Sequence, residues 1–300
     1  YNANAPDYIT ALYALDVSCR PGCGKLGAYS MFNPQYSYLS SWRSTGRGNY
    51  NSLQVTVRKK FKNGDFADLN YTYGKSLDLR STAERSDSGN SVVNPWSRGQ
   101  MWGLSDFDNT HMFNASYTYN VPFAKGLKGA AKIAFDGWQL SGLFKNTSGF
   151  PVSVGNGANW PTNWNLTGYA TQIAPRPPSQ TTKNAPAPVA GGESGANIFA
   201  NPGAALAAYD YTLPGETGQR NGVRGDGIFS IDVSLAKRFQ IPHREKQAVQ
   251  FRWETFNLTN SVRFDPAYAN LDLGNSSNFG KYTYAFGTPR VMQFALRYEF

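Results

Sequence analysis

The feature that most constrains this chain is an alternation of apolar and polar residues that persists for about a dozen positions and recurs along the sequence. Over 49–61, Leu53, Val55, Val57 and Phe61 share one parity, while Ser52, Gln54, Thr56, Arg58 and Lys60 share the other. A period of two belongs to a strand with one apolar face. Lys62-Asn63-Gly64-Asp65 follows, and its Asn-Gly pair predicts a type I′ hairpin turn. Leu69, Tyr71 and Tyr73 then alternate with Asp68, Asn70 and Thr72. The pattern returns over 109–121 (Phe113, Ala115, Tyr117, Tyr119, Val121) and 132–148 (Trp138, Leu140, Phe144). It returns again over 228–239 (Phe229, Ile231, Val233, Leu235, Phe239), 247–258 (Val249, Phe251, Trp253) and 289–300 (Met292, Phe294, Leu296, Tyr298, Phe300).

Strand length narrows the choice of fold. About 12 residues at roughly 3.3 Å each span about 40 Å. Tilted by about 45°, such a strand crosses the apolar band of an outer membrane. Strands of soluble domains are nearer 5–6 residues, so a large soluble barrel or sandwich is the weaker alternative. The expected fold is all-β, an antiparallel transmembrane barrel of the outer-membrane type. The connections agree, alternating short (62–65, 122–131, 240–246) with long (about 78–106, 155–226, 260–288). Short periplasmic turns and long extracellular loops are the rule for such barrels. The final strand then runs inward. Phe61, Phe66, Tyr119, Phe123, Phe239 and Phe300 fall at the periplasmic ends, an expected aromatic girdle. Residues 1–48 read mainly as a further extracellular loop, with Pro6-Asp7 able to open a helix over 8–15; an eighth strand there has poor alternation.

Composition fits a barrel without proving one. Mean hydropathy is -0.48, and 40% of residues are hydrophobic, as in soluble proteins. Barrel strands, however, are apolar on only every second residue. Aromatics reach 15%, and Tyr and Trp favour membrane interfaces. The net charge of +9 is scattered, with no dense basic run, which argues for a solvated surface and against a nucleic-acid groove.

Candidate sites are few. Cys19 and Cys23 flank Pro21-Gly22 on a tight turn. A local disulfide, free thiols and a shared metal are the three readings, and a metal needs two more ligands that His111 and His243 are badly placed to give. Trp96, Trp102, Trp160 and Trp164 fall on expected extracellular loops, where they either stack on a ligand or pack the loops together. Asp106 and Asp108 are either a Ca²⁺ pair or solvated carboxylates. Arg224-Gly225-Asp226 spells an integrin-type tripeptide, but its glycines also suit a turn entering the next strand. Arg58, Asp68, Arg238, Arg252 and Glu254 should face the barrel lumen. Asn201-Pro202 followed by Ala204, Ala205, Leu206, Ala207 and Ala208 reads as a short helix within the long loop. No phosphate-binding Gly-rich loop, HExxH or GxSxG occurs, so no enzyme and no cofactor are expected.

Several motifs carry a family resemblance. They are Asn49-Tyr50-Asn51-Ser52-Leu53-Gln54-Val55, Asn70-Tyr71-Thr72-Tyr73-Gly74-Lys75-Ser76, Gly137-Trp138-Gln139-Leu140-Ser141-Gly142 and Ser148-Gly149-Phe150-Pro151. Asn221-Gly222-Val223-Arg224-Gly225, Ile231-Asp232-Val233-Ser234-Leu235 and Glu254-Thr255-Phe256-Asn257-Leu258-Thr259-Asn260 complete the set. In this order they resemble TonB-dependent receptor barrels of the Oar-like group. The end, with Phe294, Leu296, Tyr298 and Phe300, resembles the C-terminal signal read by barrel-assembly machinery. The resemblance covers most of 1–300 and implies a barrel of about 22 strands around a plug. It also implies energised uptake of a siderophore, vitamin, glycan or peptide through the TonB complex. The chain then supplies seven or eight strands and no plug, so an open sheet or partial barrel with two bare edges is expected. The alternatives are a structural or adhesive surface protein and a passive porin-type barrel. Outer-membrane lipid is an expected partner in each case.

Overall fold

A computed structural model describes residues 44, 46–61, 63–81, 97–122, 124, 126–159, 167–212, 216–241 and 247–300. Seven long strands dominate it. They are β1 (Gly48–Lys60), β2 (Phe66–Asp78), β3 (His111–Asn120), β4 (Trp138–Thr147), β5 (Ile228–Gln240), β6 (Ala248–Phe256) and β7 (Val291–Glu299). Each pairs antiparallel with its neighbour in sequence, giving the spatial order β1-β2-β3-β4-β5-β6-β7. Among the described residues the sheet is open, with β1 and β7 at its edges.

Register makes the sequence parity a property of the whole sheet. Val57 faces Leu69, Leu69 faces Ala115, and Ala115 faces Phe144. Phe144 faces Ile231; four residues further along the same strand, Leu235 faces Trp253, and Trp253 faces Phe294. One face is therefore continuously apolar. It carries T-shaped contacts from Phe113 to Phe144 and from Phe144 to Phe229, with centroids 5.5 and 5.6 Å apart. The opposite face carries Arg58, Asp68, Arg238, Arg252 and Glu254, as expected, and its charges pair with one another. Arg58 lies 2.6 Å from Asp68, and Arg238 lies 2.9 Å from Glu299. The apolar face has little protein over it: Leu53, Val57, Phe294 and Leu296 are all exposed, Leu296 by 75%.

Three expectations need correction. The strand expected over 132–148 begins only at Trp138, because Gly129–Phe135 forms helix α1. Ala130, Ala131 and Ala134 favour helix, and this local preference overrides the alternation on the N-terminal side of Trp138. The β1–β2 turn is not the expected two-residue type I′ turn, and Gly64 has positive φ. Phe61 pairs with Asp65 through an N–H···O bond of 2.9 Å, so three residues bridge the strands and Gly64 takes the left-handed position. Phe66 pairs with Thr118 on the polar face, so it does not share the apolar rim of Phe61, Tyr119, Phe239 and Phe300. Phe123 lies outside the described residues, as do the expected helix or eighth strand at 8–15 and His243.

The packed core lies in the loops. The segments between β4 and β5 and between β6 and β7 fold together at one end of the sheet. Val154, Ala170, Ile198, Phe199, Ala205, Ala208, Tyr209, Val223, Leu271, Leu273, Phe279 and Tyr282 form one buried cluster there. Phe199 and Phe279 stack at its centre with centroids 6.1 Å apart. Short ribbons frame it: Ser179–Ala185 with Gly195–Phe199, and Arg263–Phe264 with Ala285–Phe286. The helix expected after Asn201 is present as α2 (Pro202–Leu206), and the Asn201 side chain accepts a bond from the Ala204 N–H at 3.1 Å. Asn197 ties both loops together: its Nδ2 donates to the Phe279 carbonyl at 2.8 Å and its Oδ1 accepts from the Phe199 N–H at 2.9 Å.

Replacing a fully buried Phe by Ala typically costs about 3–5 kcal/mol. Phe279→Ala should therefore loosen the loop core and leave the strands in place. Limited proteolysis of the membrane-inserted protein should show new cleavage within 150–226 and 257–290, with the strand fragments retained.

Candidate functional site

Arginines fasten the loop core to the sheet. The rim is formed by the end of β2, the segment 97–110 and the start of β3. Gly103–Leu104 pairs with the last residues of β2, which carries Asp106 and Asp108 to the rim. Arg220, whose side chain is 2% exposed, descends onto this surface from the long loop. Its Nη2 lies 2.6 Å from an Asp78 carboxylate oxygen and 3.2 Å from Asp106. The guanidinium also donates to Ser81 Oγ at 2.6 Å and to the Asp78 carbonyl at 2.9 Å. Asn221, with φ of 54°, donates from Nδ2 to the Leu104 carbonyl at 2.6 Å and to Asp106 at 2.7 Å.

A second arginine repeats the arrangement. Arg224 Nη2 donates to Asp108 at 2.6 Å, and its Nη1 donates to the Gly149 carbonyl at 2.7 Å. Asp108 is buried and also accepts from the Ser76 N–H at 2.6 Å. Asp108 is thus neither a solvated carboxylate nor half of a cation pair with Asp106. The integrin-type tripeptide is likewise turned inward. Arg224 is held by Asp108, while Asp226 accepts from the Phe264 N–H at 3.2 Å and lies 3.5 Å from Arg263. A Cβ on Gly225 would stand 2.0 Å from Pro266, so only glycine lets the two segments approach.

Beside this clamp, Ser81, Asp106, Phe107 and Phe150 line an open cleft of about 310 Å³. Phe107 and Phe150 are exposed, and Asp106 shows about half of its side chain to solvent while Arg220 and Asn221 hold it in place. The cleft offers a fixed carboxylate beside two aromatic faces. That chemistry suits recognition. Among the described residues no three His, Cys, Asp or Glu side chains gather into a metal-ligand set.

The residues singled out in the sequence are dispersed. Trp102 is half-buried against Leu79 and Met101, with the Arg47 guanidinium 4.8 Å from its ring centroid. It packs the rim. Trp96, Trp160, Trp164, Cys19 and Cys23 lie outside the described residues. Phe294, Leu296 and Tyr298 project from the apolar face of edge strand β7, and Phe300 beyond it is 94% exposed. The sequence reading missed Arg220 altogether. Its partners lie more than a hundred positions away, and no local pattern marks it.

Burial perturbs two loop-core tyrosines. It pushes Tyr209 and Tyr282 above the usual phenol value, with Arg176 acting in the opposite sense on Tyr209 and a Thr181 hydrogen bond on Tyr282. At the surface, the Lys281 ammonium bonded to Glu193 holds that carboxyl below its ordinary range.

Two outcomes follow. Removing one member of a buried ion pair typically costs about 3–5 kcal/mol, because the other charge is stranded. Arg220→Met should strand Asp78 and release the 148–226 segment to protease at lower urea than in the parent protein, whereas Lys281→Met at an exposed pair should change little. The tyrosines set an alkaline limit. The folded loop core holds neutral phenols, while the unfolded chain ionises near 10.0. Their stabilisation is full below that value and falls as pH rises toward the higher folded pKa. Near-ultraviolet circular dichroism should lose its loop-core signal on that alkaline side, and Tyr209→Phe with Tyr282→Phe should weaken the dependence.

A family model described as an outer membrane beta barrel domain matches residues 1–293. No curated protein and no solved structure gives a match. The match spans nearly the whole chain, covering β1 to β6, the loop core and the first residues of β7. The chain belongs to the outer membrane beta barrel domain family, and its place is the bacterial outer membrane.

Proposed function

We propose that this chain is the C-terminal part of the barrel of a TonB-dependent receptor, which takes up a nutrient across the outer membrane with energy from the inner membrane. The observation that carries the reading is the open seven-stranded meander capped at one end by a packed loop core. Among the described residues β1 and β7 are each paired along one side only, and each unpaired backbone group in hydrocarbon costs several kcal/mol. More strands are therefore required on both sides. A barrel of about 22 strands, with its lumen closed by a plug, meets that requirement.

The loop core fits an uptake receptor in a further respect. On this reading it lies outside the cell, and the cleft at Asp106, Phe107 and Phe150 opens there. A ligand of siderophore, vitamin, glycan or peptide type would meet a rigid surface rather than loose loops. The motif order from Asn49 to Asn260 supports the same assignment, and Phe294, Leu296, Tyr298 and Phe300 suit a signal for barrel-assembly machinery. The polar face, with Arg58–Asp68 and Arg238–Glu299, would line the lumen against the plug.

The reading is tested on the full-length gene product. The coding region before Tyr1 should specify a leader, a plug domain and about fourteen more alternating strands. In planar bilayers the whole protein should pass no steady current until urea unfolds the plug. A steady open conductance without denaturant would make it a passive porin instead. Formaldehyde treatment of living cells should link the protein to TonB. Absence of that product, with a normally assembled barrel, would favour an adhesive surface protein.

A further inference from the structure

Lys237 breaks the rule of the apolar face. It lies on β5 at the turn end, opposite Trp138 and Phe251, in register with residues that face lipid. Yet it is 1% exposed, because α1 covers it. Its ammonium donates to the Ile133 carbonyl at 2.7 Å and to the Ala134 carbonyl. It also sits 5.0 Å from the Trp138 ring centroid and 4.5 Å from that of Phe239. Trp138 Nε1 donates to the same Ala134 carbonyl at 3.0 Å. The C-terminal carbonyls of a helix carry partial negative charge and accept a cation well. Lys237 and Trp138 together therefore hold α1 against the outward face of the sheet.

The helix turns nothing inward except its C-terminal end. All its residues are exposed, Ile133 by 60%, and Leu127 just before it is exposed as well. Phe135 is half exposed. Lys128, the N-cap residue, and Lys132 within the helix are both exposed. Exposed large apolar side chains and lysines on a short helix and the residues just before it suit the boundary between acyl chains and head groups. The helix also lies beside the aromatic rim, since Lys237 bonds its carbonyls and stands over the Phe239 ring, and Tyr119 pairs with Leu140 just after it.

We propose that α1 is a membrane-surface anchor. It seats Leu127, Ile133 and Phe135 at the head-group boundary of the periplasmic leaflet and places Lys128 and Lys132 on phospholipid phosphates. Lys237 is the positioning residue that keeps it on the outside of the barrel. The occupant is phospholipid because charge and position agree. Basic residues near an anionic lipid surface are drawn to it, and the sheet face that α1 covers is continuous with the face that meets lipid. The assignment needs only the outer-membrane barrel and does not depend on TonB-driven transport.

The test uses the full-length protein without native cysteines, carrying bimane at Ile133→Cys, in vesicles of phosphatidylethanolamine and phosphatidylglycerol. A nitroxide placed high on the lipid acyl chain should quench the label strongly. Aqueous iodide should quench it several-fold less than the same label at Asn63→Cys in the β1–β2 turn. Lys237→Met should raise iodide quenching toward the turn value, and Lys128→Gln with Lys132→Gln should do so most when phosphatidylglycerol is present. If iodide reaches Ile133→Cys as freely as Asn63→Cys in the otherwise unsubstituted protein, α1 faces water and the proposal fails. That comparison decides the matter even if Lys237→Met does not assemble.

Discussion

Every backbone amide that crosses a hydrocarbon layer must be hydrogen-bonded inside the protein, because no water is there to replace the partner. The whole arrangement of this chain follows from that constraint. It demands strands long enough to span, and β1 to β7 run from 9 to 13 residues. It also demands neighbours for every strand, which the sequential meander supplies at least cost in connections. Because lipid covers one face, the side chains there need no protein partners. Leu53, Leu296 and Phe294 can stand exposed without forming a core.

The hydrophobic core is displaced as a result. In a soluble sandwich the apolar faces of two sheets would meet. Here the apolar face belongs to the bilayer, and the residues that pack against protein gather in the loops around Phe199 and Phe279. Apolar contact joins this cap to the rim where Tyr169 packs against Leu79 and Met101. The join is also made by Arg220 and Arg224 on Asp78, Asp106 and Asp108. Buried pairs of this sort gain little net stability over an apolar contact, yet they tolerate only one geometry. They fix where the cap sits.

How much of this was legible in the sequence depends on the range of each signal. Strand parity is local, so Val55, Tyr117, Ile231 and Leu296 announced their face before any pairing was known. The same parity placed Arg58, Asp68 and Arg238 together on the other face, where they are found in ion pairs. Residues 132–135 of α1 were read as strand because the alternation of Trp138, Leu140 and Phe144 was extended back over them, and 129–131 as part of a short connection. The α2 segment was legible because Asn201-Pro202 is itself a start signal. Asp108 was misread, since its burial is created by Arg224, 116 positions away. The loop core was invisible for the same reason: its residues come from two separate connections and share no period.

The edges that the described residues leave open, β1 and β7, carry the last structural consequence. Side chains alternate with a period of two, so a one-residue slip would reverse every side chain of an added strand. Whatever pairs with β7 must set its own apolar residues opposite Phe294, Leu296 and Tyr298. Otherwise it would turn its polar residues into lipid. The exposed apolar row on β7 therefore acts as a template before it acts as a surface. The same holds at β1, where Leu53, Val55 and Val57 fix the parity of any strand that joins them. The two edges together fix the parity of closure, and a barrel that closed with the wrong parity would bury charge in the bilayer at a cost of about 2–4 kcal/mol per Lys or Arg at its midplane.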